Sequence, residues 1–530
     1  MGRTTDDKGL QVAARRGGAR PARTRPGGSP SVPGWDLAQT PVMRRLLRWP
    51  PLRFLLAVPS IALLVLVLAS AFLGPADPRL NVATTVTWDV WFCLVFVLIV
   101  TTGRGWCLIC PFGAVSEAVQ RRALWGPGRS AASRRVLPPG LTRYGYLLPI
   151  AGLITLTWIE ERFAIAEGGA PRLTGYLMVA ILVLTLAGFL VLARRGYCRY
   201  LCPLSGLIGI LGAVAPVAGF RSRDVAACRT CTTRECLRPT ASRGGCPWYA
   251  WPGGEESNLS CGLCAECYQA CPTDQVGLYL SAPLDSVVRP QHRRADVGWG
   301  MAALLGLAIQ EQVHATARYQ AVRQRLADVV PLPEFADIVV FAGTIAVVVL
   351  VVAGFAWAGV LMARWLGLSL GAGEQLRDRR EGSDQGEFVY ARSRFRSAFL
   401  PMAYACLPLV AADYLACQLP ALFQRGGGVV PALVHPWRPP GTATAVTSLL
   451  STTSIVTVQV IVVILGALAS LYAGWRLGSV GSPGDARRRQ LARLGTGAVV
   501  VGITALLLLL VLAPLLTAGP ASAPNTQWLT

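Results

Sequence analysis

Apolar runs long enough to cross a bilayer recur through this 530-residue chain, and they restrict its fold more than any other feature. A helix needs about 20 residues to span the hydrocarbon core. Runs near 51–74, 83–102, 144–159, 174–193, 337–363, 397–420, 451–475 and 495–517 meet that length or approach it, and a shorter run near 297–312 adds a ninth. Hydrophobic residues make up 53% of the chain and charged residues only 15%, so the surface of such a bundle faces lipid. The expected fold is an all-α polytopic membrane protein of about eight to nine transmembrane helices.

The formal charge of +22 is distributed unevenly. Arginine is concentrated in 1–50, 104–143, 194–243, 364–396 and 476–493. Segments assigned to the other face carry few: Arg79; Arg162 and Arg172; Arg425 and Arg438. The 313–336 loop, with Arg318, Arg323 and Arg325, fits less well. This is the positive-inside asymmetry, and it places the N-terminus and the Cys-rich middle on the cytoplasmic side of a bacterial-type inner membrane. Topology accounts for the arginines, so a nucleic-acid partner is not expected, whereas contact with membrane lipid is. Residues 1–49 read as a disordered basic tail. Arg15-Arg16 has no hydrophobic region within reach, so no export signal and no cleavable signal peptide are expected.

Twelve of the fifteen cysteines fall into tight groups. Thiols on the cytoplasmic side stay reduced, so the clustering points to metal rather than disulfides. Cys93, Cys406 and Cys417 lie inside apolar runs and read as small hydrophobes. The run "CGLCAECYQACP" places Cys261, Cys264, Cys267 and Cys271 in a C-x2-C-x2-C-x3-C-P pattern, the bacterial [4Fe–4S] spacing. A structural zinc site also takes four thiolates, but it usually separates two C-x2-C pairs. A second group, Cys228, Cys231, Cys236 and Cys246, precedes the first. Paired runs of this kind exchange the fourth ligand. One cluster would then take Cys228, Cys231, Cys236 and Cys271, and the other Cys261, Cys264, Cys267 and Cys246. Residues 220–282 are therefore expected to form a soluble ferredoxin-like insert with two [4Fe–4S] clusters.

An internal repeat marks the first half, 50–219. Span 83–102 runs into "GRGWCLICPFG" and span 174–193 into "RRGYCRYLCPLSG". Both motifs sit at the same end of a two-helix hairpin, so Cys107 and Cys110 can meet Cys198 and Cys202. Together the four are expected to hold a third redox centre, either iron–sulfur or a soft metal such as Cu(I). Residues 204–218 read as a short helix at the interface or packed on the bundle.

Two cysteine–proline motifs ending paired membrane helices, followed by a two-cluster segment, resemble the membrane-bound polyferredoxin family. That family takes in the NapH-type quinol dehydrogenase of periplasmic nitrate reduction, the NosR-type accessory protein of nitrous oxide reduction and the CcoG-type protein of oxidase assembly. The resemblance covers roughly 83–280. It implies electron transfer between the quinone pool or a cytoplasmic donor and a partner redox protein. In the family both motifs are usually C-x3-C-P; Cys198 to Pro203 fits, but Cys107 to Pro111 is one residue shorter. The C-terminal part, 297–530, is not explained by it.

Other polar residues in or near the spans are secondary candidates. Asp89 and the Glu160-Glu161 pair would lie toward the outer face, where a quinol site needs a protonatable group. His314 and His435 are possible metal ligands, and Asp413 is the only acid in its span. No phosphate loop or dinucleotide fingerprint is present, so ATP, NAD and flavin are not expected. The leading expectation is an iron–sulfur electron-transfer component, quinol dehydrogenase-like if it is an enzyme. A copper-reducing assembly factor and a redox-sensing membrane regulator are the alternatives.

Overall fold

A computed structural model describes residues 33–124, 135–142, 144–166, 170–240, 244–289, 293–314, 316–330, 333–366, 394–437, 448–480 and 486–517. The expected cytoplasmic loop at 364–396 lies almost wholly outside these residues, as does Arg15-Arg16.

Among the described residues, seven helices are long and apolar enough to cross a membrane: Leu52–Leu73, Val82–Thr102, Pro171–Val191, Glu334–Trp365, Phe395–Val434, Thr452–Gly478 and Arg489–Ala513. Two further expected spans form helices but fall short of that standard. Leu147–Arg162 has 16 residues, about 24 Å at the usual rise and less than a hydrocarbon core. Ala295–Val313 carries Asp296, Gln310, Glu311 and Gln312 and is buried over most of its length. Protein rather than lipid surrounds it: it packs on Leu147–Arg162, Pro333–Trp365 and Arg394–Pro420. The short apolar stretch expected at 204–218 is a buried helix, Pro203–Leu211, followed by a 3-10 turn.

The insert is anchored by a three-stranded antiparallel sheet. Val276–Leu280 lies in the middle, with Trp35–Asp36 on one side and Val217–Ser222 on the other. The expected disordered tail is 1–49; over the described residues 33–49 the first strand and the helix after it correct that expectation. From residue 33 the chain is structured, because Asp36 is buried and satisfied on several sides. Its carboxylate accepts from Arg223 and from the Leu278 and Ala38 amides. The helix Pro41–Arg48 then pairs Arg44 and Arg48 with Asp274.

The C-terminal helices pack against the repeat half through the side of Val82–Thr102. Phe96 stacks on Tyr414 with centroids 5.3 Å apart, and Asp89 pairs with Arg425 at 2.9 Å.

Candidate functional site

Each repeat turns in the same way after its membrane helix. Arg104 and Arg195 cap five-residue helices, Gly105–Ile109 and Gly196–Tyr200, that carry Cys107 and Cys198. Cys110 and Cys202 then occupy the N-cap positions of Pro111–Arg121 and Pro203–Leu211, with proline at the first helical position. Proline suits that position because it has no N–H to leave unpaired. Burial raises both thiols, Cys110 to about 11, and the amides of Gly113 and Phe112 at Cys110 and of Ser205 and Leu204 at Cys202 offset only part of that rise.

Both motifs fold back along the bundle instead of projecting from it. Ser60, eight residues into Leu52–Leu73, donates to the Ile109 carbonyl. Tyr197 packs on Gly188, where a Cβ would lie 2.3 Å from its ring. The four cysteines of the two motifs are thereby brought together. Burial pushes the Cys202 thiol up to about 12, with Cys110 and Cys107 adding to the effect. Burial likewise holds Cys198 well above the ordinary thiol value, against the opposing pull of Arg195 and with Cys202, Cys110 and Cys107 reinforcing it.

Within the insert the cysteines separate into two groups. Cys228, Cys231, Cys236 and Cys271 line one pocket together with Trp251 and Pro272. Burial raises Cys236 to about 12, and Cys271, Cys228 and Cys231 raise it further. Cys246 lies instead with the second group: burial raises Cys267, followed by the influence of Cys246, Cys264 and Cys261. The Phe220 amide donates to Cys261 Sγ at 3.4 Å and the Gln275 amide to Cys271 Sγ at 3.3 Å. Among the described residues, no three His, Cys, Asp or Glu side chains gather tightly enough to hold a single metal ion. A [4Fe–4S] cluster takes four thiolates, the number each of these groups supplies.

Trp248 joins the insert to the repeats, a role its sequence position did not reveal. Its ring is fully buried, with the Arg104 guanidinium carbon 5.0 Å and that of Arg195 5.8 Å from the ring centroid. Its indole N–H has no hydrogen-bond partner among the described residues. That N–H sits against Gly262, where a Cβ would lie 2.0 Å away, so only glycine fits between Cys261 and Leu263. An orphaned donor beside the cysteines of the second group is what an inorganic sulfide acceptor would satisfy.

Arg195 is itself held by an acid. Glu117 pairs with Arg195 at 2.7 Å, Arg121 at 2.8 Å and Arg53 at 2.9 Å. Arg121 also reaches Glu266, between Cys264 and Cys267, at 2.9 Å. Burial alone would raise the Glu117 pKa, but Arg195, Arg53 and Arg121 outweigh it and hold the carboxyl well below the usual range. The signal for this network was in the sequence, as the Arg-Gly-aromatic-Cys element common to both repeats; the acid partners carried none.

The secondary candidates lie apart from these cysteines. Asp89 is committed to Arg425. Glu161 accepts from Gln310 at 2.9 Å, and Asp413 from Gln312 at 3.2 Å. His314 Nδ1 lies 2.8 Å from the Glu311 carbonyl, and His435 is exposed. Cys93 and Cys406 are buried and Cys417 half-buried, all three as free thiols.

No curated protein and no solved structure matches the chain. The family model of the 4Fe-4S binding domain matches it twice, over residues 84–130 and 174–219. Those two segments are the two repeats, and each takes in one of the folded-back cysteine pairs. The chain is thus a mostly helical protein with candidate membrane spans and two 4Fe-4S binding domains.

Proposed function

We propose that the chain is a membrane-bound iron–sulfur electron-transfer protein, working between quinol or a cytoplasmic donor and a partner redox protein in the inner membrane. The observation that carries this reading is the convergence on Arg195: this one side chain donates to the Cys107 carbonyl of the repeats at 2.8 Å and lies 5.8 Å from the Trp248 ring centroid of the insert. The repeat quartet and the insert are neighbours, not separate modules.

Cys228, Cys231, Cys236 and Cys271 would hold one [4Fe–4S] cluster, and Cys246, Cys261, Cys264 and Cys267 a second. Cys107, Cys110, Cys198 and Cys202 would hold a third redox centre. Bound there, such centres would take up and release single electrons. The protein's own part is to exclude water and to set the charge. Trp248, Leu259 and Leu211 close the space between repeats and insert. Arg104 and Arg195 supply fixed positive charge that favours the reduced, more negative state and raises the potential.

Anaerobic purification in detergent, followed by iron and sulfide analysis and EPR before and after a menaquinol analogue, tests the proposal. Iron and acid-labile sulfide with [4Fe–4S] signals that grow on quinol addition support it and identify quinol as donor. Signals that grow only with dithionite support electron transfer from a lower-potential cytoplasmic donor. A protein that retains neither iron nor sulfide when all twelve cysteines are intact sinks it.

A further inference from the structure

Four aromatic rings run from the repeat cysteines along Val82–Thr102, and iron–sulfur ligation gives them no role. Trp106 is the residue before Cys107. Its ring meets Trp91 edge-on with centroids 5.1 Å apart. Trp91 meets Phe92 edge-on at 4.8 Å. Phe92 then stacks on Trp88 at 5.4 Å with the planes 11° apart. The contact between Trp106 and Trp91 exists because the cysteine motif folds back: along the helix, Trp91 lies about 16 Å from Thr102 at the usual rise.

The far end of the series is fixed as firmly as the near one. Trp88 is buried, and its indole N–H donates to Thr174 at 3.0 Å. Thr174 lies at the start of Pro171–Val191, the end remote from Cys198. Trp88 is about 9 Å along the helix from Val82, so the rings lead most of the way to the opposite face. At that level Asp89 and Arg425 form the ion pair between the two halves. The backbone there is π-helical on both sides, over Thr85–Trp91 and Ala421–Arg425. Such segments are uncommon and frequent at functional sites.

We propose that Trp106, Trp91, Phe92 and Trp88 form an electron path from the Cys107 quartet toward the opposite face of the membrane domain. The inference rests on the iron–sulfur reading above and adds a direction to it: electrons would cross the bilayer as well as pass between centres on one side. Tunnelling rates fall steeply with distance through lipid-like packing, and contiguous π-systems lessen that fall. No ring is itself oxidised. Each electron leaves a one-electron carrier held by the cysteines and reduces a one-electron acceptor at the far face, so one centre loses what the other gains. These rings are positioning residues for transfer, not ligands.

The test uses the loaded full chain in proteoliposomes with ferricyanide entrapped, dithionite outside, and valinomycin with potassium to remove the membrane potential. Protein-free liposomes set the leak. EPR intensity of the reduced clusters and their midpoint potentials are recorded in parallel on each variant. The expected result is internal ferricyanide reduction by the native chain, loss of most of that rate in Trp91→Leu and in Trp88→Leu, and its recovery in Trp91→Phe, with EPR spectra and potentials unchanged. Native rates in both leucine variants overturn the path. A native chain whose clusters are reduced while ferricyanide is not also overturns it and leaves the iron–sulfur reading standing. Preparations without any cluster signal overturn both.

Discussion

Arg195 of the second repeat donates to the main-chain carbonyl of Cys107 in the first, at 2.8 Å. The converse contact runs from Arg104 of the first repeat to the Ser205 hydroxyl of the second, also at 2.8 Å. Each arginine thus reaches across to the other repeat's cysteine motif, and between them the two flank Trp248. One consequence is that neither motif is positioned by its own repeat alone. Half of the pair would leave a buried guanidinium without its acceptor, which costs more than the hydrogen bond itself contributes.

Replacing Glu117 with alanine should destabilise the protein by about 3–5 kcal/mol, the usual cost of removing one partner from a buried ion pair. Arg195, Arg121 and Arg53 are all well buried and would be left without their shared carboxylate. Thermal unfolding in detergent measures the loss. The variant should also retain less iron, because Glu117 is linked through Arg121 to Glu266 in the cysteine loop. A melting temperature equal to that of the native chain would refute the network's role.

The same carboxylate sets a pH dependence of known sign. Its pKa in the folded protein is depressed, so its contribution is complete above the unfolded value, about 4.3 for glutamic acid. It is lost as pH falls from there toward the depressed folded value. The stability gap between native protein and Glu117→Gln should stay constant from neutral pH down to about 4.3 and shrink in stronger acid. Paired melting curves across that range provide the measurement. A gap that closes between pH 7 and 5 would contradict the depressed pKa.

Much of this arrangement was legible in the sequence, and the limits have physical causes. The repeat could be read from "GRGWCLICP" and "RRGYCRYLCP" because cysteine and proline are rare enough to align. The expected division of the insert cysteines rests on the exchange of fourth ligands between paired runs, and Cys271 lines one pocket with Cys228, Cys231 and Cys236. Trp248 could not be read, because its neighbours come from Arg104, Arg195 and Gly262, all distant in the chain or ordinary in type. Hydropathy alone does not separate a lipid-facing helix from one buried in protein, for a related reason. A helix such as Ala295–Val313, buried among other helices, is apolar like a lipid-facing one, and only the polar residues of its first and last turns distinguish it. The strand Trp35–Asp36 was hidden by the basic, Gly- and Pro-rich sequence before it, since two residues are too few to show an alternation.

Single cysteine-to-serine substitutions in the insert should fall into two spectroscopic classes. Cys271→Ser should remove the same EPR signal as Cys228→Ser, although Cys271 is adjacent in sequence to the other group. Cys246→Ser should remove the signal lost in Cys261→Ser. The physical reason is the grouping of thiols around separate spaces, with Cys246 acting on Cys264 and Cys267. If Cys271→Ser and Cys267→Ser abolish one signal together and leave the other intact, the exchange of fourth ligands is wrong.

The ion pair between the halves should respond asymmetrically to mutation. Arg425→Ala takes from the buried Asp89 carboxylate the cation it pairs with. Asp89→Asn instead removes the buried charge, keeps the volume and retains a polar group for Arg425, which is more than a third exposed and can turn toward water. Stranding a buried charge costs several-fold more than deleting it. Arg425→Ala should therefore lower the melting temperature clearly, and Asp89→Asn only slightly. The double variant should recover most of the loss, because the asparagine no longer needs a counter-charge. Equal destabilisation by the two single variants, with no recovery in the double, would mean that packing around Trp88 and Phe92, and not the charge pair, joins the C-terminal helices to the repeats.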